Sequence, residues 1–462
     1  ILRNTVEGER PAGFVSYREI GNEDLFGVLK DMELANLVRG KSSREILLIT
    51  GIYAREDGTG DSGVIRDAPQ QLLVEVLAKE LEKNYSFALF VAERGTATKE
   101  VVYVLERQGF IRPHMADEND KRTIYMVDMH EPLMFLHNLD TTIKEPFASN
   151  PAVLDAVEKN HKKLQIAMTK LYPGNLVLSL SSGIMYHRLV DRITALNDVP
   201  REPLVPRRLG KNMCVPFGKI LRGKVVPNTV TKTLHTDKVY EPDLNSFTIE
   251  PFPYYSPLKS QIETIKSFDR PVILVDDLLH SGNRIRALDP LFRQEGVVID
   301  RVLVGLLSGR GRDLMAAKGR SVDSVYFIPN MRSWFVESTM YPFIGGDTVG
   351  HEEPSVPGLT PAVNLILPYA FPRFYRECGR EAVFRFSCAC LENARDILLA
   401  LETTFRERYA RNLTLSRLSE AVILPLSPDK GSCMHYDPSL PASVFLQNDL
   451  EMLLRMRNVL QS

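Results

Sequence analysis

The sequence predicts an α/β protein: a mixed α/β sandwich first, then a parallel sheet, then a helical carboxyl-terminal region. Three observations predict it. Short apolar β-branched runs such as Val272-Ile273-Leu274-Val275 alternate with stretches of helical periodicity between about 45 and 328, and alternation at that spacing builds sheets covered by helices. Beyond about 358 the strand-like runs stop, and apolar residues recur at helical spacing over 379–411 and 444–460. The length of 462 residues, at roughly 150 residues per domain, corresponds to about three domains.

Composition narrows the class further. With 44% hydrophobic residues, 25% charged residues and a mean hydropathy of −0.13, the chain has the balance of a folded globular protein. Lys+Arg 57 against Asp+Glu 58 leaves a net charge of −1, so a general basic field for nucleic acid or anionic lipid is not expected. Any phosphate binding must be local. Five cysteines without a CxxC pair argue for a reducing compartment and against zinc or a disulfide frame. No apolar run approaches a membrane span and no leader is legible, so a cytoplasmic location and no membrane partner are expected. The chain opens on Ile1 rather than Met, which suggests a piece of a longer protein with further domains.

The first segment, 1–130, begins with a strand at 12–17 and a polar stretch, followed by a buried strand at 45–53. A glycine-rich turn at 57–63 follows, then a helix over 68–84 carrying Leu72, Leu73, Val76, Leu77 and Leu81 on one face. A strand at 86–92, a helix from about Thr98 to Gly109 and a strand at 124–127 complete it. The second segment, 131–358, opens helically to about 170, with Leu154, Val157, His161, Leu164 and Met168 on one face. A strand at 176–180, a turn at Ser181-Ser182-Gly183 and a helix at 185–196 come next. Residues 198–256 read as irregular, before strands at 272–275, 302–307 and 325–328 alternate with helices. The third segment, 359–462, is expected to be helical, its apolar stripes serving packing.

The most informative stretch is Val272-Ile273-Leu274-Val275-Asp276-Asp277-Leu278-Leu279-His280-Ser281-Gly282-Asn283-Arg284. A parallel strand delivers side chains to its carboxyl end, where open α/β sheets bind ligands. Two carboxylates there offer acceptors to the paired hydroxyls of a ribose, and a small-residue turn opening a helix offers backbone N–H groups to a phosphate. The alternative is a buried strand ending in a solvated acidic turn. The stretch resembles the 5-phosphoribosyl 1-diphosphate (PRPP) signature of type I phosphoribosyltransferases, in which four apolar residues and two acids lead to Thr-Gly-x-Thr. Ser281 stands for the first Thr and Arg284 replaces the second, which leaves two readings open: a clamp on the 5′-phosphate, or a loop that has left catalysis.

The resemblance implies a phosphoribosyltransferase-like domain that binds PRPP with Mg²⁺ and transfers the phosphoribosyl group to or from a nitrogenous base. Asp276 and Asp277 would hold the ribose and the metal environment, and Leu279, His280, Ser281, Gly282, Asn283 and Arg284 the phosphate, with no metal site made by the protein alone. The pyrophosphate loop would be Ser181-Ser182-Gly183, with Lys219, Arg222 and Lys224 as cations. A flexible hood would include 231–238, and Trp334 and Phe335 would meet the base. For each of these a plainer reading stands beside it: a strand-to-helix turn, solvated surface charges, and core packing of the single Trp.

The order of elements over 45–110, ending in Leu105-Glu106-Arg107-Gln108-Gly109-Phe110, resembles the GNAT acetyltransferase fold. That implies an acyl-CoA-like loop at Gly58, Gly60 and Gly63 and acetyl-CoA as a further cofactor, with the family's first helices before Ile1. Asp57 and Asp61 in the loop oppose a pyrophosphate, and Leu105 stands where the family commonly has Tyr. The two resemblances support a fused transferase. The alternative they leave is a catalytically silent nucleotide- or PRPP-sensing or interaction module of a larger protein.

Overall fold

The structure is a computed structural model that describes residues 2–4, 10–42, 44–54, 67–93, 98–113, 122–206, 208–350, 358–370, 378–428 and 436–461. It is an α/β protein with three sheets. The chain divides into two compact units that are discontinuous in sequence: residues 1–135, 165–179 and 327–334 form the first, and 136–164, 180–326 and 335–462 the second.

In the first unit, β1 (Leu2–Asn4) and β2 (Arg10–Ile20) lead through α1 (Leu25–Leu29) and α2 (Met32–Lys41) to β3 (Ile46–Ala54). Then follow α3 (Ala68–Glu80), β4 (Phe87–Glu93), α4 (Lys99–Arg107) and β5 (Arg122–His137). The sheet order β1-β2-β3-β4-β5 is mixed, since β3 and β4 run parallel while β2–β3 and β4–β5 are antiparallel. The helices α1 and α2 correct the expectation of a plain polar stretch there. Asp31 caps α2 by accepting from Leu34 N at 3.0 Å, and Leu34, Ala35 and Val38 bury one face. That stripe is short, so charge masks it in the sequence. Residues 131–137, expected to be helical, continue β5, because Leu133, Met134, Phe135 and Leu136 form an unbroken buried run. The glycine-rich turn at 57–63 lies outside the described residues.

Next in the chain are α5 (Pro151–Leu171) and β6 (Asn175–Ser181); the side chain of Asn150 caps α5 by accepting from Ala152 N and Val153 N. In the second unit α6 (Ser182–Leu196) precedes β7 (Met213–Pro216), β8 (Val230–Thr231), β9 (Thr236–Tyr240) and β10 (Phe247–Pro251). Then come α7 (Leu258–Lys266), β11 (Val272–Leu279), α8 (Asn283–Gln294), β12 (Ile299–Ser308), α9 (Gly309–Ala317) and β13 (Val322–Ile328). One sheet has the order β13-β12-β11-β7-β8, with the β12–β11, β11–β7 and β7–β8 ladders all parallel. The strand β11 is therefore central and covered on both faces, which is why Val272, Ile273, Leu274 and Val275 are uniformly apolar and buried.

The "irregular" region thus supplies a central neighbour of the signature strand. Its four residues, Met213-Cys214-Val215-Pro216, are all buried, too short a run to stand out among the surrounding prolines and charges. Residues 231–238 do not form a free hood: Leu234 and Thr236 are fully buried, and β9 pairs with β10. After β14 (Ser333–Val336), which lies in the seven-stranded sheet together with β6, the chain forms β15 (Asp347–Val349) and β16 (Thr360–Val363). Then α10 (Arg380–Tyr409), β17 (Leu426–Pro428) and α11 (Ala442–Gln461) complete the chain. A third sheet, β10-β9-β15-β16-β17, is mixed. The carboxyl-terminal region is accordingly two long helices plus two sheet strands rather than helices alone. No helix among the described residues is long and apolar enough to cross a membrane.

Candidate functional site

At the carboxyl end of β11 the two neighbouring ladders stop at different places. Pairing with β12 continues to Leu279, whereas pairing with β7 ends at Val275 opposite Pro216. The chain leaving β7 turns away, and this turn is held by Asp277: its carboxylate accepts from Lys219 N at 2.6 Å and from Ile220 N at 3.0 Å. Gly218 is required there, since a Cβ would stand 2.4 Å from the Asp277 Oδ1 atom.

Asp276 is 5% exposed and receives Arg284 Nη1 at 2.9 Å and the backbone N of Asp277 at 2.8 Å. Burial raises its carboxyl from 3.8 to about 6; the Arg284 charge opposes the rise and the Asp277 charge adds to it. Arg284 therefore lies folded onto the first acid of the signature. Both carboxylates are engaged within the protein, one by a guanidinium and one by two N–H groups.

The turn that follows is built as the sequence suggests. Ser281 is exposed and accepts from Asn283 Nδ2 at 3.0 Å. Gly282 has φ +70°, and a Cβ there would strike Leu314, so both backbone and space demand glycine. His280 pairs through Nδ1 with Ser308 Oγ at 2.9 Å, and burial, followed by the Arg310 charge, lowers its pKa. Leu279 belongs to the core at 2% exposure rather than to the loop surface.

The turn held by Asp277 leads into a cavity of about 410 Å³ within the second unit. Lys219, Arg222 and Lys224 line it together with His235, Asp237 and Tyr255. None of the three cations has an ion-pair partner among the described residues. Arg222 donates from Nη2 to Thr236 O at 3.0 Å and stacks over Phe252 at 4.4 Å, while its Nε is buried without a hydrogen-bond partner. The Nδ1 of His235 is likewise buried and unpartnered, and its ring stacks on Tyr255 with centroids 3.7 Å apart. Burial, then Arg222 and Lys232, push His235 down to about 4, so it is neutral at physiological pH. Burial lowers Lys219 and Arg222 as well, with Asp237 opposing the shift at both. Asp347 also favours the charged form of Lys219, so these carboxylates compensate the cations in part, and a buried cation with no direct ion pair gains from an incoming anion.

None of the other expected site residues lines this cavity: neither Asp276, Asp277 and the turn 279–284 nor Ser181, Ser182, Gly183, Trp334 and Phe335. Ser181 caps α6 by accepting from Ile184 N at 3.4 Å. Ser182 is buried and donates to Asp140, which lines the cavity. The strand before them, β6, does not lie in the parallel sheet but pairs β5. Trp334 and Phe335 are on β14 and neither lines the cavity; the aromatic wall is Tyr255 and Phe252 instead. Gly58, Gly60 and Gly63 lie outside the described residues.

Sequence reasoning missed Asp140 and Tyr255, which carry no motif, and gave His235 and Asp237 only as part of a flexible hood rather than as the wall of a cavity. It also missed a group of His137, His161 and Glu337, whose ligand atoms lie within 4.8 Å of one another. The chain matches no family model and no curated protein.

Proposed function

We propose that this cavity binds PRPP with Mg²⁺ and that the protein transfers the phosphoribosyl group to a nitrogenous base, as a phosphoribosyltransferase of type I. The observation that supports it is a set of three cations without an ion pair among the described residues, Lys219, Arg222 and Lys224, lining a cavity reached from the carboxyl end of a parallel strand beside the signature strand. In this reading the three cations hold the diphosphate. Mg²⁺ would arrive on the diphosphate oxygens and supply charge neutralisation there, since neither Asp276 nor Asp277 offers an unengaged carboxylate. Asp277 acts as a positioning residue that keeps Lys219 at the cavity wall. Preset charges then favour departure of pyrophosphate from the anomeric carbon as its bond to the incoming base nitrogen forms.

A second reading, binding without turnover in a sensing module, is favoured by the Asp276–Arg284 ion pair, which occupies the acid that would otherwise meet the ribose. Calorimetry with PRPP and Mg²⁺, followed by pyrophosphate release with a panel of bases, tests both. Affinity that falls at least tenfold in Lys219→Ala/Arg222→Ala, with pyrophosphate released, supports the transferase. Binding with no release selects the sensor, and no affinity in the wild type overturns both.

A further inference from the structure

We propose that His137, His161 and Glu337 form a binding site for a divalent transition-metal ion, with Zn²⁺ as the preferred occupant. The three residues come from different elements: His137 ends β5, His161 lies on α5, and Glu337 opens the 3₁₀ turn Glu337–Met340. His137 Nδ1 lies 3.2 Å and His161 Nδ1 3.1 Å from the same Glu337 Oε2 atom. With metal–ligand distances of about 2.0–2.2 Å, neighbouring donors of a tetrahedral or octahedral shell stand about 3.0–3.5 Å apart. The two His–Glu separations match edges of such a shell as well as they match hydrogen bonds, and all three donor atoms lie within 4.8 Å of one another.

Charge points the same way. The side chain of Glu337 is 1% exposed, and its only ion-pair partners among the described residues are these two imidazoles. A buried carboxylate requires a compensating charge, and a dication supplies it while the imidazoles bind as neutral donors. Two imidazole nitrogens and one carboxylate oxygen suit zinc and its first-row neighbours, whereas Mg²⁺ and Ca²⁺ favour oxygen donors throughout.

The surroundings resemble the outer layer of a metal centre. Tyr341 Oη donates to Glu337 Oε1 at 3.3 Å, and Asn393 Nδ2 donates to Tyr341 Oη at 3.2 Å and to Asn160 O at 2.8 Å. Outer partners of this kind fix the orientation of the ligands. Asn138 and Ser338, the next residues after two of the ligands, bind each other through Asn138 Nδ2 to Ser338 Oγ at 2.9 Å and Ser338 N to Asn138 Oδ1 at 3.0 Å. Both line the cavity described above. Three protein ligands leave a coordination position open, and the imidazoles, 11% and 18% exposed, give solvent access to it. The open position would take water or an anionic oxygen of a bound ligand.

The test uses the whole chain, stripped of metal, with no phosphate compound present, so its outcome is independent of PRPP binding. Zn²⁺ is titrated in competition with a chromophoric chelator, and Co²⁺ is added separately to read its visible absorption. One equivalent of Zn²⁺ bound, visible Co²⁺ bands, and an affinity at least 100-fold weaker in His161→Gln are expected. Asn393→Ala, which leaves the ligands in place, is expected to weaken binding about tenfold. Circular dichroism checks that each variant folds, and His137→Gln carries the same comparison should His161→Gln fail. Absence of stoichiometric binding of Zn²⁺, Co²⁺ and Mn²⁺, or unchanged affinity in the histidine variants, would overturn the proposal.

Discussion

Replacing Arg284 by Met tests how the signature strand tolerates its first acid. Arg284 Nη1 is 2.9 Å from Asp276 Oδ1, with side-chain exposures of 22% and 6%. Burial raises the Asp276 carboxyl from 3.8 to about 6 even with the guanidinium opposing the rise. At about 1.36 kcal/mol per pH unit this gap corresponds to about 3 kcal/mol. The sign follows from proton binding. Between pH 4 and 6 the folded chain holds the proton that the unfolded chain has released, so wild-type stability falls by about that amount as pH rises through the window, then levels off.

Without the guanidinium the folded-state value moves further above 6, and stability keeps falling at higher pH. Removing one partner of a buried pair costs about 3–5 kcal/mol at pH 8. At pH 5, where the folded Asp276 is mostly protonated in either protein, the deficit shrinks to the packing difference, about 1 kcal/mol. Urea unfolding at the two pH values measures this. With an m-value of about 3 kcal/mol/M, the midpoint drops by about 1 M or more at pH 8 and by about a third of that at pH 5. Equal deficits at both pH values, or a deficit below about 1 kcal/mol at pH 8, would refute the reasoning.

Two further outcomes follow from the packing. In the first unit Arg107 is 2% exposed and engages both Asp67 and Gln165, so Arg107→Met leaves Asp67 without its cation and is expected to cost about 3 kcal/mol in urea unfolding; a loss below about 1 kcal/mol would contradict it. Gly218→Ala drives a Cβ into the Asp277 carboxylate, displacing the acceptor for Lys219 N and Ile220 N, and is expected to lower stability by about 1–3 kcal/mol and, if the proposed function holds, PRPP affinity at least tenfold, as read by calorimetry.

The parts of the fold that were legible in the sequence are those where one local pattern decides the outcome. Val272-Ile273-Leu274-Val275 reads as a short buried strand, and Ser281-Gly282 allows a tight turn into a helix, as found with Gly282 at φ +70°. The strands near 46–54, 87–93 and 299–308 were legible for the same reason. Where a segment is short or its meaning depends on its neighbour, the pattern fell silent. The buried run Met213-Cys214-Val215-Pro216 carries no signal by length, yet it sets where β11 loses a partner and where the cavity opens.

By itself, then, the sequence determined that this is an α/β protein with a tight turn after an acid-bearing strand, because periodicity and turn chemistry are local properties of the chain. The partners of those acids were decided only by the tertiary structure. Arg284 is eight residues from Asp276, but Lys219 and Ile220 are 58 and 57 residues from Asp277. The wall of the cavity and the His137, His161 and Glu337 group, separated by up to 200 residues, exist only once the sheets have closed. Distance in sequence carries no information about which charges share a buried space, and it is the loss of water that raises the Asp276 carboxyl and lowers Lys219, Arg222 and His235.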